Sequence, residues 1–588
     1  MTILRLLPYN GTTLRGALLM TRLGIDRFFI AAVALTVFAV APLFHPGYPA
    51  VRSGLLPIYE LFSLMSQGRD LSASASGAWS QVSLAKSSLV VLLRTLGLGP
   101  FEAIKSFFLL SFLSSAVTMY LFARFCYSRW LSIAPARSAI INGENGGHQF
   151  LESRLQPVST TMPVEKADDR HGLVVSTASW GALLAVALYV YAPYHLASTY
   201  ILGDLREALV FPFLPLAGWF VTKGLSVRRW QSIGWWIAGM LTIGICWWGI
   251  SGVGRATDHL PEAPAKFLNL QRLLSPVWST GPPPEAGAPV QVGAMMLVLA
   301  MVAGSAVLAD RWRTGRVGWA ALSLVASAVA LVLLMLPASS FLWGFLTVFV
   351  ETPPRLLSIL ALVLSLLGGT VVVLLAVSLS QDADGISKRR EASPDALSPN
   401  LGMREDARSF RSRPEVRPLA LALTVLAVAA SYNYLSPTFL EARNPGRFLN
   451  ARFGPAIVLL DYDLETPMRI DGRYAVRAGE KLRLTLVWQS LAPVAEDLTV
   501  FTHLIDSTGK VCAQKDNQPM HGQRPTSGWQ PGESFYDPYE VSISSDVPPG
   551  EYELEVGLYN GVTGQRQEVS IGGNHDSRIL LDKVTVFK

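Results

Sequence analysis

Hydrophobic positions fall into two regimes along the chain. Between residues 28 and 435 they form long unbroken runs, and beyond 456 they alternate with polar positions over short stretches. Lipid hydrocarbon about 30 Å thick is crossed by about 20 apolar helical residues, because each contributes about 1.5 Å. On that criterion residues 28–44, 103–123, 172–193, 206–222, 231–250, 291–309, 317–337, 356–378 and 417–435 are predicted spans, about nine in all. The stretch 82–97 is shorter and holds Lys86 and Arg94, so it reads as an interfacial or re-entrant helix, with a tenth span as the alternative.

The second regime predicts strands. KLRLTLVWQS (481–490), DLTVFTHLID (497–506), YEVSISS (539–545) and YELEVGLYN (552–560) carry period-two alternation. Ser507-Thr508-Gly509, Pro548-Pro549-Gly550 and Thr563-Gly564 stand where turns are needed. Seven or eight strands are expected from residue 456 onward, so that 436–588 is read as an antiparallel β-sandwich domain. The fold class is thus an α-helical polytopic membrane protein with an all-β C-terminal domain. Trp488, Trp529 and Tyr559 have the chemistry to stack on sugars, but aromatic residues at strand spacing are more often core. His503 shows no metal-ligand partner in the sequence and reads as a satisfied core or surface histidine.

Charge orients the spans. Arg22 and Arg27 hold the N-terminus (1–27) in the cytoplasm. Arg124, Arg129 and Arg137, then Lys223, Arg228 and Arg229, then Arg311, Arg313 and Arg316, then Lys388, Arg389 and Arg390 each follow an even-numbered span. Basic clusters on alternate loops obey the positive-inside bias and place 436–588 outside the cytoplasm. The N-terminal arginines precede an apolar run with no small-residue cleavage site, so it reads as a start-transfer anchor. Inside loops 127–170 and 380–416 are polar and aperiodic and read as disordered linkers. The outer loops are 45–100, 194–205, 251–290 and 338–355, where aromatics and prolines suit helices lying on the membrane surface.

Composition agrees: 50% of the 588 residues are hydrophobic and 16% charged, too few for a soluble chain of several domains. The net charge of +6 sits beside the spans and does not form a basic face interleaved with aromatics, so nucleic acid is excluded as a partner. Three cysteines, Cys126, Cys246 and Cys512, show no pairing or metal-ligand spacing. No Walker or dinucleotide-binding motif is present.

Several segments resemble a family. YAPYHLASTYILGDLREALVFPFLPLAGW (191–219), HPGYP (45–49), NLQRLLSPVWSTG (269–281) and TPPRLLSILAL (352–362) are similar to segments of large bacterial membrane proteins. Those proteins carry a 6-pyruvoyl-tetrahydropterin-synthase-related label and resemble glycosyltransferases of the C superfamily. VWQSLAP, TVFTHLID, GWQPGE and PPGEYELEVGLYN resemble the β-sandwich appended to such transferases. The resemblance implies transfer of a sugar from a polyprenyl-phosphate carrier to a glycan or protein acceptor on the outer face. It also implies a first-loop acid acting as base or holding a metal. This chain departs there: Ala50-Val51-Arg52-Ser53 stands where the family has an Asp, and RDLSASASGAW replaces a segment rich in Pro, Arg and Trp. A catalytically degenerate scaffold whose outer domain binds glycan or a protein is the alternative.

Candidate catalytic acids are therefore Glu207, Asp204, Glu60 and Asp70. Asp204 and Glu207 also suit a helix N-cap and first turn, although carboxylates so near hydrocarbon are expensive. Glu60 lies on an amphipathic helix and Asp70 in a polar turn, where solvated faces suffice. Candidate substrate-binding residues are Arg355, Arg206, His195, Arg272 and His259. Arg355 stands on the outside against the charge bias, as a phosphate clamp or as an arginine reaching headgroups. His195 is expected to meet substrate or to anchor at the interface. No metal ligand set and no cofactor is identified.

Overall fold

The computed structural model describes residues 26–49, 54–56, 58–59, 62, 96–132, 164–227, 232–250, 267–274, 291–310, 315–391, 416–435, 437, 439–440, 447–470 and 473–588. The first half is a helical bundle of α1 (Arg27–Val40), α2 (Pro100–Ser132), α3 (Val164–Val190), α4 (Pro193–Ala197), α5 (Leu205–Gly224), α6 (Ser232–Ile250), α7 (Leu270–Leu274), α8 (Ala294–Asp310), α9 (Gly315–Met335), α10 (Ser340–Leu346), α11 (Leu356–Glu391) and α12 (Val416–Ala429). Among the described residues six helices are long and apolar enough to cross a membrane, which marks the chain as membrane-associated. α3 joined to the segment from Pro193 to Leu202 makes a seventh if the pair, bent by 41°, counts as one span. Two shorter apolar helices run Ala294–Ala309 and Val416–Ala429.

Several helices exceed the lengths that hydropathy alone suggests. α2 continues to Ser132, α3 begins at Val164 and α11 reaches Glu391, so both expected linkers are helical at their edges. Polar residues continue a helix readily once an apolar stretch has nucleated it. The stretch 194–205, expected as a polar loop, is also helical. α4 passes into a π-helical turn, Ser198–Leu202, which ends at Gly203 with φ of 63°. Pro193 supplies the break: it cannot donate to the preceding turn. Residues 82–95 lie outside the described residues.

α1 starts on Asp26, whose carboxylate accepts from the N–H groups of Phe28 and Phe29. The same carboxylate takes the Tyr120 hydroxyl at 2.8 Å and Arg124 at 3.2 Å, fastening α1 to α2. At the other end of α1, β1 (Tyr48–Pro49) pairs antiparallel with β2 (Phe439–Leu440), joining Tyr48 to Leu440. Gly47 allows it: a Cβ there would lie 2.6 Å from the Leu440 carbonyl oxygen. The HPGYP segment is thereby a clasp between the start and the end of the bundle.

From residue 451 the chain is all β. Two six-stranded sheets face each other, built from β3 (Ala451–Phe453), β4 (Ile457–Glu465), β5 (Met468–Ile470), β6 (Arg473–Arg477), β7 (Lys481–Ser490), β8 (Leu498–Ile505), β9 (Val511–Asn517), β10 (Ser534–Ser542), β11 (Gly550–Asn560), β12 (Val569–Ile571), β13 (Asn574–Asp576) and β14 (Ile579–Phe587). The orders are β10-β7-β4-β3-β12-β13 and β5-β6-β14-β11-β8-β9; only β14 with β6 is parallel. The four strands read from alternation are all present. The total is twelve rather than seven or eight, because β3, β5, β12 and β13 are three residues each, too short to show a period.

Trp488 and Trp529 are buried between the sheets, so they serve the core. The Trp488 indole donates to Asp537 at 3.2 Å, and Asp537 also accepts from the Tyr539 hydroxyl (2.7 Å) and the Met520 N–H (2.8 Å). Burial pushes the Asp537 carboxyl up to about 6, against those hydrogen bonds. His503 is a satisfied, buried histidine, as expected: its ring nitrogens face Glu555 at 3.0 Å and Asp516 at 3.1 Å, from the neighbouring strands β11 and β9.

The sandwich is packed on the bundle. Val458, Leu460 and Val487 belong to the same apolar cluster as Tyr48, Leu55 and Tyr59. The Leu56 N–H donates to Gln489 at 2.9 Å and the Leu55 N–H to Ser534 at 3.2 Å. Buried apolar area and satisfied amides together fix the contact.

Candidate functional site

At the sandwich end of the bundle α5 begins. Asp204 is its N-cap, accepting from the N–H groups of Arg206 (2.9 Å) and Glu207 (3.2 Å), which are otherwise orphaned in the first turn. α11 begins at the same level after Pro353-Pro354, and this sets Arg355 opposite Asp204. One turn back, Glu351 donates its backbone N–H to Ile250, the last residue of α6.

Arg355 is the centre. Its Nη2 lies 3.1 Å from Asp204 Oδ2, its Nη1 3.1 Å from Glu207 Oε1, and its Nε 3.2 Å from Glu351 Oε2. Three carboxylates thus surround one guanidinium. The side chains of Arg355 and Glu207 are 8% and 1% exposed, whereas those of Asp204 and Glu351 are 24% and 17% exposed. The site therefore has a buried floor, Glu207 with Arg355, and a wetter rim, Asp204 with Glu351. The Tyr194 hydroxyl also donates to Glu207 Oε1 at 3.2 Å, while Glu207 Oε2 is buried with no partner among the described residues.

This geometry changes two expectations. Each nitrogen of Arg355 faces a carboxylate, so the residue stands as the counter-charge of an acidic cluster and not as an open phosphate clamp. His195 does not reach the protein surface. It is fully buried, stacked between Phe211 (centroids 3.8 Å apart) and Phe112 (4.5 Å), with Nδ1 3.2 Å from the Tyr189 carbonyl. Its Nε2 is buried without a partner among the described residues. Arg206 is half-buried, with its guanidinium 5.1 Å from the Trp248 ring on α6.

Of the sequence candidates, the structure joins Asp204, Glu207 and Arg355, and places Arg206 on the same first turn of α5 and His195 on the adjoining α4. Glu60, Asp70 and His259 lie outside the described residues, as does the side chain of Arg272. Sequence reasoning missed Glu351 and the role of Tyr194. Glu351 carried a signal, since Glu followed four residues later by Arg is the spacing of a helical ion pair. Tyr194 carried none. Among the described residues no group of three or more His, Cys, Asp and Glu is arranged to hold a metal ion. The three carboxylates here are turned onto a guanidinium and are not arranged as a metal site.

No protein-family model matches the chain, and no curated protein matches it. Among solved structures, a Niemann-Pick type C2 protein from Japanese carpenter ant aligns over 22% of this chain and 91% of its own, at 6% identity and a TM-score of 0.15. A likeness at that level carries no argument about fold or function.

Proposed function

We propose that the chain is a multi-pass, glycosyltransferase-like membrane protein, with its N-terminus in the cytoplasm and its sandwich outside. It moves a sugar from a polyprenyl-phosphate donor to an acceptor at the outer face. Nine spans fit this reading: the six long helices, the bent pair and the two shorter apolar helices.

The observation that carries the proposal is the convergence of Asp204, Glu207 and Glu351 on Arg355 at the sandwich end. Asp204, at the wetter rim, takes the proton of the acceptor hydroxyl. The acceptor oxygen bonds to the anomeric carbon as the carbon–oxygen bond to the donor phosphate breaks, releasing polyprenyl phosphate. Arg355 and Glu207 are positioning residues that hold Asp204. Arg206, on the first turn of α5 beside Glu207, is the cation that would meet the donor phosphate.

A second reading is a degenerate transferase serving as a scaffold. It is favoured by Ala50-Val51-Arg52-Ser53 after the clasp, where the resembling family has an acid, and by the engagement of all three Arg355 nitrogens. Membranes supplied with labelled polyprenyl-phosphate sugar separate the two. Transfer by the wild type that falls at least about tenfold in Asp204→Asn supports the first reading, since removing a positioned base typically costs 10² or more. Unchanged transfer in that variant removes Asp204 from the mechanism. No transfer by well-folded wild type to any acceptor supports the scaffold.

A further inference from the structure

Between α9 and α11 the chain makes a compact hairpin at the sandwich end of the bundle. It comprises Pro337–Ser339, α10 and the turn that leads to Glu351. Residues 340–350, SFLWGFLTVFV, contain no charge. One side of the hairpin is tied down. Trp343 is 4% exposed, and its indole donates to the Leu334 carbonyl at 2.8 Å. The other side is bare: Phe341 is 80% exposed, Phe345 70%, Val348 60% and Phe349 47%.

Neighbouring apolar side chains exposed to this extent mark a surface made to meet an apolar partner. It continues directly from α9, which exposes Val329 (53%) and Leu333 (56%) as a span facing lipid does. Behind the hairpin lies a cleft of about 360 Å³ lined by Phe267, Leu268, Leu336 and Pro337, with Asn269 as its polar residue. The Phe267 ring meets Trp343 edge-on at 6.2 Å, and the Leu268 N–H donates to the Met335 carbonyl at 2.9 Å, so the cleft and the hairpin are one construction.

The geometry points to a lipid-binding wedge. Phe341, Phe345, Val348 and Phe349 insert among the acyl chains of phospholipids in the leaflet at the Arg355 end, and one acyl chain lies in the cleft. The occupant is lipid because the apolar surface is continuous with the lipid-facing side of α9 and has no charged residue to meet water or a polar partner. Glu351 follows the wedge directly and pairs with Arg355, so the wedge sets the carboxylate cluster at the lipid border. This inference is independent of sugar transfer.

The test uses the full chain with Cys512→Ser, reconstituted in phosphatidylcholine vesicles. Single spin labels are placed at Phe345→Cys, at Phe341→Cys as a second position, and at Val562→Cys on the sandwich, which is 97% exposed. Cys126 and Cys246 are buried. Power saturation compares oxygen, which concentrates in lipid, with a water-soluble nickel chelate. Accessibility to oxygen several-fold above nickel at 341 and 345, with the reverse at 562, is expected. Nickel preferred at 341 and 345 overturns the inference. Exclusion of both reagents there also overturns it, because another segment of this chain or a second copy then covers the hairpin.

Discussion

Arg355 Nη1 stands 3.1 Å from Glu207 Oε1, joining the first turn of α5 to the turn that leads into α11, with the two contact residues 148 apart in sequence. Both side chains are buried, so removing one partner strands the other's charge. Arg355→Met is expected to cost about 3–5 kcal/mol. Arg355→Lys keeps the charge without the planar fork and should fall between. Thermal unfolding of the purified chain in detergent reads this, and adding Glu207→Leu to Arg355→Met should recover part of the loss. Equal unfolding temperatures for Arg355→Met and wild type would mean that the cluster does not stabilise the bundle.

Cys512 is a natural reporter of sidedness. It is half-buried in the sandwich, whereas Cys126 and Cys246 are buried in the bundle. A membrane-impermeant maleimide should modify it in intact cells as fully as after lysis. Modification only after lysis would place the sandwich in the cytoplasm and end the proposal of chemistry at the outer face.

Gly47→Ala tests the clasp. The added methyl would lie 2.6 Å from a backbone oxygen of Leu440, which cannot rotate away. Overpacking of this kind costs about 1–3 kcal/mol. Protease sensitivity near residues 439–440 should rise, and an unchanged digestion pattern would refute the strain.

Asp537 makes the sandwich sensitive to pH. Its carboxyl is raised from 3.8 to about 6, chiefly by burial. Between those values the folded state keeps a proton that the unfolded chain has released, so the contribution of this group falls as pH rises. At about 1.4 kcal/mol per unit, the decline amounts to roughly 3 kcal/mol and is complete above about pH 6. Asp537→Asn should flatten it. Unfolding temperatures followed from mildly acidic to neutral pH check this, and parallel curves for variant and wild type would refute it.

The sequence discloses elements in proportion to their length. β7 was predicted at its observed limits, Lys481–Ser490, because ten residues display the alternation of a half-buried strand. Three-residue strands such as β12 display nothing and exist because neighbouring strands accept their hydrogen bonds. The site behaves similarly. Asp204 and Glu207 were legible as acids at a helix start, and Arg355 as a cation against the charge bias. That each meets the others was not legible, since helix pairing decides it. His195 shows the same limit: its neighbours in sequence do not disclose its surroundings, because Phe112 and Phe211 come from other helices and enclose it.

The pairing of Tyr48 with Leu440 has a consequence for biogenesis. A ribosome delivers residue 48 long before residue 440, so the first strand emerges without its mate and must wait while every intervening helix is inserted. Loop-closure entropy grows only logarithmically with length, so the delay adds little to the equilibrium cost. The burden is kinetic: an unpaired strand edge stays open to wrong partners throughout synthesis. Its closure therefore comes only after the last helix of the bundle has been made.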